Sequence, residues 1–144
     1  MPFLWGLRTY LLVAIGGAIG SIARYWLGNL GDTLLSSTFP WGILIVNVLG
    51  CFVIGFFSEA TGANGMLDVA PDTRSFVIVG LCGGFTTFSS FSLGTITLLS
   101  DGHVMGAIGN VSLSLVTCLT GVAIGIWLTR FTKLSTETME DRRV

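Results

Sequence analysis

The sequence predicts an all-α membrane protein with four transmembrane helices. Composition is the first observation: 51% of the 144 residues are hydrophobic and only 10% are charged, against about 25% charged in an ordinary soluble domain. Such a chain has too little polar surface to cover a core in water. The second is segmentation into four apolar stretches, about 9–27, 41–60, 75–99 and 104–129, each near or beyond the roughly 20 residues that span a bilayer as a helix. A soluble bundle of buried helices would show polar faces at helical spacing, and these segments mostly lack them. The third is glycine, 20 residues in all, with Gly16/Gly20, Gly80/Gly84 and Gly121/Gly125 at the small-xxx-small spacing that lets backbones approach. Glycine is also common in membrane helices generally, so each pair is either a contact face or background.

Residues 1–8 form a short lead. Arg8 followed by the apolar run 10–22 has the outline of a signal peptide. However, Arg24, Tyr25 and Trp26 read as an interfacial anchor rather than a cleavage site, and three more spans follow. A retained span is therefore expected. Arg24 is either an interfacial snorkeller or a charge facing a water-filled vestibule. Residues 28–40 are rich in Gly, Asn, Asp, Ser and Pro and read as a loop, with Pro40 placed to start the second helix. Inside span two, Asn47 stands among apolar neighbours, where an amide is costly unless it finds partners. It makes either an interhelical hydrogen bond or a pore-facing donor. Residues 61–74 form the longest loop, ending in the helix-start signal Pro71-Asp72-Thr73.

Span three is the unusual one. Gly83–Phe91 reads Gly-Gly-Phe-Thr-Thr-Phe-Ser-Ser-Phe. Adjacent glycines weaken a helix by about 1 kcal/mol each relative to alanine, and Thr86, Thr87, Ser89 and Ser90 carry oxygens that compete for the backbone. A helix broken near its middle is expected here, tolerated in a membrane only where the freed backbone is buried in protein or lines a wet cavity. Phe88 and Phe91, three apart, share a helical face and serve either packing or an ion path. In span four Asn110, Ser114, Thr117 and Gly121 hold one face, whether by facing water or another helix or by bonding back to their own backbone. A single membrane domain, 1–132, and a fraying polar tail, 133–144, complete the expected organisation.

Three stretches together resemble the bacterial fluoride channels, the Fluc/CrcB family. They are Gly83–Phe91, the run Gly16-Gly17-Ala18-Ile19-Gly20-Ser21-Ile22-Ala23-Arg24-Tyr25, and Val46-Asn47-Val48-Leu49-Gly50-Cys51-Phe52. They lie in order at family-like spacing, so the resemblance covers nearly the whole chain. It implies an antiparallel dimer in the bacterial plasma (inner) membrane, its subunits oppositely inserted, with two pores that passively let fluoride out of the cytoplasm. The resemblance further implies a fluoride path along Asn47, Thr87, Phe88, Phe91, Asn110 and Ser114, with phenylalanine ring edges, which carry partial positive charge, turned to the anion. Arg24 would hold the dimer or draw anions to the pore mouth. A structural sodium ion (Na+) would sit at the dimer centre on the backbone carbonyls of Gly83 and Thr86 from both subunits.

Other functions find little support. The small multidrug-resistance transporters are similar in size and span number, but they need a carboxylate deep in span one, and none is present here; Glu59 closes span two. A scaffold would not need Asn47, the hydroxylated break and the span-four stripe together. Cys51, Cys82 and Cys118 form no Cys-x-x-Cys pair and His103 sits in a short turn, so no metal-ligand spacing appears and the cysteines read as small apolar residues. There is no nucleotide-binding glycine loop and no carboxylate pair or Ser/His/Asp set within the membrane, so an enzyme is not expected. No nucleic-acid partner is expected either. Four spans put Arg8, Arg74, Arg130, Lys133, Arg142 and Arg143 on one side and Arg24 on the other. Positive-inside bias then favours cytoplasmic termini. The dimer is accordingly either a dual-topology homodimer that tolerates this bias or a pairing with an oppositely inserted homologous subunit.

Overall fold

The computed structural model describes residues 2–35 and 38–141, with side chains for 6–35 and 38–135. The described residues contain no strand. Helix α1 (Pro2–Leu35) leads to α2 (Trp41–Ala60), and the third span is composite. That span begins as α3 (Pro71–Ser75), widens into π-helix over Phe76–Cys82, closes into the short α4 (Gly83–Phe85) and resumes as α5 (Phe88–Ser100). Helix α6 (Val104–Asp141) ends the chain. Among the described residues, four helical segments are long and apolar enough to cross a membrane: Gly6–Leu35, Trp41–Ala60, Pro71–Ser100 and Val104–Ser135.

Two expected boundaries move. The anticipated loop from residue 28 is helical through Leu35. Tertiary contact overrides the weak propensity of its glycines and Asp32: Gly42 Cα lies 2.9 Å from where a Gly31 Cβ would stand, and the Asp32 Oδ1 accepts from Gly42 N at 2.7 Å. That bond satisfies one of the first-turn N–H groups of α2, which a helix cannot satisfy itself. At the other end, α6 runs on to Asp141 where a fraying tail was expected from Lys133. Hydroxyls of Thr132 and Ser135 bond back to the Leu128 and Phe131 carbonyls within the helix. Ser36, Ser37, Arg142 and Arg143 lie outside the described residues.

The expected start at Pro71 holds: Pro71 occupies the first turn and Asp72 follows it there, both favourable at a helix N-terminus. Between α5 and α6 the turn closes on Gly102, whose φ of 78° is the left-handed conformation that glycine adopts without penalty. Gly102 N donates to Leu99 O at 3.1 Å and His103 N to Leu98 O at 2.8 Å, the paired bonds of a Schellman motif.

All three small-residue pairs are helix contacts. A Cβ on Gly16 would lie 2.7 Å from Phe76 O, and one on Gly80 2.8 Å from Val13 O. Gly84 crosses Gly17, and a Cβ on Gly125 would lie 2.5 Å from Phe52 O. Without side chains at these points, α1 packs directly on the π-helical stretch and α2 on α6, the most extensive pairing. Buried apolar residues are few, among them Leu44, Val46, Leu98 and Ala107. Ile15, Ile22, Trp26, Ile96, Leu115 and Trp127 face outward, as lipid or a neighbouring subunit requires and water would not.

One end of the bundle gathers the charges. Arg8 pairs with Asp72 at 3.3 Å and Arg130 with Glu59 at 2.8 Å. Arg74 Nε donates to Thr61 Oγ1, and Lys133 Nζ to Asn64 O.

Candidate functional site: a groove at the interruption of the third span

At Thr86 (φ −81°, ψ 154°) and Thr87 (φ −150°, ψ 118°) the backbone is extended. The span as a whole bends by only 15°, so two residues leave the helix without turning the chain aside. Their polar groups must still be satisfied in a region with no bulk water. Thr86 remains tied to the preceding turn: its N and its Oγ1 both donate to Cys82 O at 2.9 Å. Thr87 is held from outside its own span, its N donating to Asn47 Oδ1 at 2.8 Å while Asn47 Nδ2 donates to Thr87 O at 3.1 Å. One side-chain amide thus takes both backbone groups of Thr87, as a neighbouring strand would. An amide nitrogen carries two N–H donors, and this clamp uses one of them.

The restart is capped from within. Thr87 Oγ1 accepts from Ser90 N at 3.2 Å, the N-cap interaction that threonine makes well, and it also meets the Ser89 and Ser90 hydroxyls at 3.0 and 3.2 Å. On the upstream side Arg24 Nε donates to Gly84 O at 3.1 Å, with Ser21 Oγ at 3.4 Å from the same carbonyl. Two carbonyls lose the donors that a continuous helix would have given them. Thr87 N has turned to Asn47 and Ser90 N to the Thr87 hydroxyl, which releases Gly83 O and Thr86 O.

Beside this interruption lies a groove of about 590 Å³, walled by α2, the stretch from Thr86 to Phe91 and α6. Asn47, Thr86, Thr87 and Ser114 supply its polar atoms, and Phe88 and Phe91 its aromatic ones. The rings are tilted by 42° with centroids 5.4 Å apart, and Phe88 is 80% exposed. Ser114 and Thr87 are buried at 8% and 9% exposure. Among the described residues no Asp, Glu, Lys or Arg lines the groove. Neutral donors in apolar walls can replace part of an anion's hydration without a fixed countercharge that would hold it. No three His, Cys, Asp or Glu side chains among the described residues gather to hold a metal ion.

The structure brings together five of the six residues expected along the path and leaves out Asn110. That residue is 2% exposed and spends its Nδ2 on Thr95 Oγ1 at 2.8 Å, which holds α6 to α5. The span-four stripe is real, but it turns from the groove at Ser114 to a neighbouring helix at Asn110. Thr117 bonds back to Leu113 O at 2.6 Å, and Gly121 lies against Val48 O. Sequence reasoning missed the hold of Ser21 and Arg24 on Gly84, and also the groove walls at Cys51 and Cys118. Cys51 stands four residues after Asn47 and Cys118 four after Ser114, so helical spacing alone pointed to both.

A sequence model described as CrcB-like protein, Camphor Resistance (CrcB), matches residues 11–126. The chain belongs to the CrcB family. A CrcB relative from Rhodospirillum rubrum, named fluoride-specific ion channel FluC, is 51% identical over 120 residues, covering 83% of this chain and 90% of its own length. Relatives of the same name from Opitutus terrae and Methylocella silvestris are 52% and 48% identical, each covered over 81–83% of this chain and 88–90% of their own length. CrcB is a family of ion channels and not of enzymes.

Proposed function

We propose that this chain is a fluoride channel that lets fluoride leave the cytoplasm passively and so lowers its toxicity. The observation that carries the reading is the 590 Å³ groove at the interruption, with Asn47, Thr87 and Ser114 beside Phe88 and Phe91, in a chain about half identical to proteins named fluoride-specific channels. Fluoride is small and strongly hydrated, so a path must offer donors in place of water. Conduction also requires that no single site hold the ion too well. The Asn47 amide and the hydroxyls supply donors, and the phenylalanine edges supply weak positive potential. Arg24 brings positive charge to the upstream side while its Nε holds Gly84 O.

Two such chains would face each other as an antiparallel dimer, as a homodimer or with an oppositely inserted homologous subunit, in the plasma (inner) membrane of a bacterium. The released Gly83 and Thr86 carbonyls fit a structural sodium ion, being hard oxygen donors without helical partners, with Gly83 exposed on the surface of the single chain. Bound there, sodium would neutralise carbonyl charge and place positive charge near the path. The gathering of Arg8, Arg74, Arg130 and Lys133 at one end weighs toward cytoplasmic termini. C-terminal reporter fusions separate the two assemblies. Both orientations in a cell lacking a homologue support the homodimer, and a single orientation with continuing export refutes it.

The deciding measurement is fluoride efflux from liposomes holding the purified protein, with chloride as control. Fast fluoride release with little chloride release, lost in Asn47→Asp and Phe88→Ile, is the expected result. A folded wild-type protein that releases neither ion, alone or mixed with an oppositely inserted homologue, refutes the reading.

A further inference from the structure

Cys51 and Cys118 belong to different helices and are far apart in sequence, yet both stand on the walls of one groove where α2 packs on α6. Both are half-buried and both line the groove, one helical turn along from Asn47 on α2 and from Ser114 on α6. Close packing of the two helices fixes the pair. Cys51 Cβ lies 3.7 Å from where a Cβ on Gly121 would stand, one turn past Cys118, so the absence of a side chain there lets the two walls meet. Cys82 is different: it is 3% exposed and lies outside the groove lining.

We propose that Cys51 and Cys118 form a two-thiolate site for a thiophilic monovalent d10 cation, of the Cu+ or Ag+ kind, and that its occupation blocks the groove. Zinc wants four ligands in a closed structural site, which this region lacks, whereas soft monovalent ions are selected by thiolate sulfur itself. Binding exchanges protons for metal: two thiols and Ag+ give a dithiolate–silver unit of net charge −1 and release two protons. The loaded site therefore adds both volume and a negative charge beside Asn47 and Ser114, where an anion must pass. The blocking half of this inference rests on the fluoride-channel reading; the binding half does not.

The test uses Ag+ itself in chloride-free medium, on the full chain, as wild type and as Cys51→Ser, Cys118→Ser and Cys82→Ser, with Cys51→Ala and Cys118→Ala in reserve should a serine variant misfold. Binding is read by native mass spectrometry and proton release in detergent, and flux as the ratio of fluoride efflux with and without Ag+ in each variant. Wild type and Cys82→Ser should bind one Ag+ per chain at this pair. Loss of either partner removes one arm of a chelate and should weaken binding on the order of 100-fold. Efflux should stop on Ag+ addition in wild type and Cys82→Ser, return with dithiothreitol, and be far less sensitive in the other two. Equal Ag+ affinity in wild type and the Cys51 and Cys118 variants overturns the site. Binding at the pair with undiminished fluoride efflux overturns the block. A protein that binds Ag+ as expected but passes no fluoride even without it, alone or mixed with an oppositely inserted homologue, supports the site and refutes the channel reading instead.

Discussion

Replacing Asn47 by leucine, a similar volume without polar atoms, removes both bonds that hold Thr87, the 2.8 Å one to its N–H and the 3.1 Å one to its carbonyl. Side-chain hydrogen bonds within membranes average about 0.6 kcal/mol when partners can re-pair, which puts a floor near ~1 kcal/mol for two. An orphaned buried group costs about 1–3 kcal/mol, which puts a ceiling near ~6 kcal/mol. Burial decides between them. Thr87 is 9% exposed, so water reaches it poorly, yet the adjoining groove admits some. A loss of about 2–4 kcal/mol is expected, by the same orphaned-group cost. Asn47→Asp retains the acceptor for Thr87 N and loses only the donor, so it should destabilise by about half as much. Its charge, however, would face the groove: at 4 Å with an effective dielectric of 20, two unit charges repel by about 4 kcal/mol, enough to slow an anion passing there on the order of 10³-fold. Reversible unfolding in mixed micelles at fixed protein concentration, paired with fluoride efflux, measures both. If Asn47→Leu shifts stability by less than about 0.5 kcal/mol, below even the membrane average for one bond, the clamp does not hold the extended step. If Asn47→Asp conducts like wild type, the amide is not on the path.

Arg24 separates hydrogen bonding from charge. If its hold on Gly84 O matters most, Arg24→Gln should keep more fluoride efflux than Arg24→Lys, and if attraction of anions dominates, lysine should rescue and the loss should deepen with added salt. Thr95→Val leaves the fully buried Asn110 amide short of a partner and should cost about 1–3 kcal/mol; with Asn110 outside the groove, fluoride-over-chloride preference should stay as it was in the same liposomes. Gly20→Ala places a Cβ against the Leu81 carbonyl and 2.8 Å from Phe85 N. Backbone cannot swing away, so about 1–3 kcal/mol of overpacking is expected, visible as a lower thermal midpoint in detergent.

Span two was legible to the residue because its boundaries are chemical: Pro40 before it and polar loop after it. The end of α1 was not, since Gly28, Asn29, Gly31 and Asp32 have loop propensities that a contact with Gly42 overrides. Asn47 announced itself as an amide too costly to bury alone. Its partner did not, because a backbone group 40 residues away carries no side-chain signature. Spacing likewise revealed that Asn110 and Ser114 share a face, but which of two neighbours that face meets depends on how α6 crosses α5 and α2. The cysteines were read along the chain, where no ligand motif exists, while the groove that Cys51 and Cys118 share arises only across the α2–α6 contact.

The groups from other helices that satisfy the interruption of the third span come earlier in the chain: Ser21 and Arg24 on α1, Asn47 on α2. During synthesis these helices leave the ribosome first. Thr87, whose backbone N–H and C=O both turn to another helix, therefore enters the bilayer beside a partner already delivered and does not wait in lipid with a bare amide. Rearranging the gene so that the third span is made first would keep every contact of the finished protein and still deprive its insertion of that help.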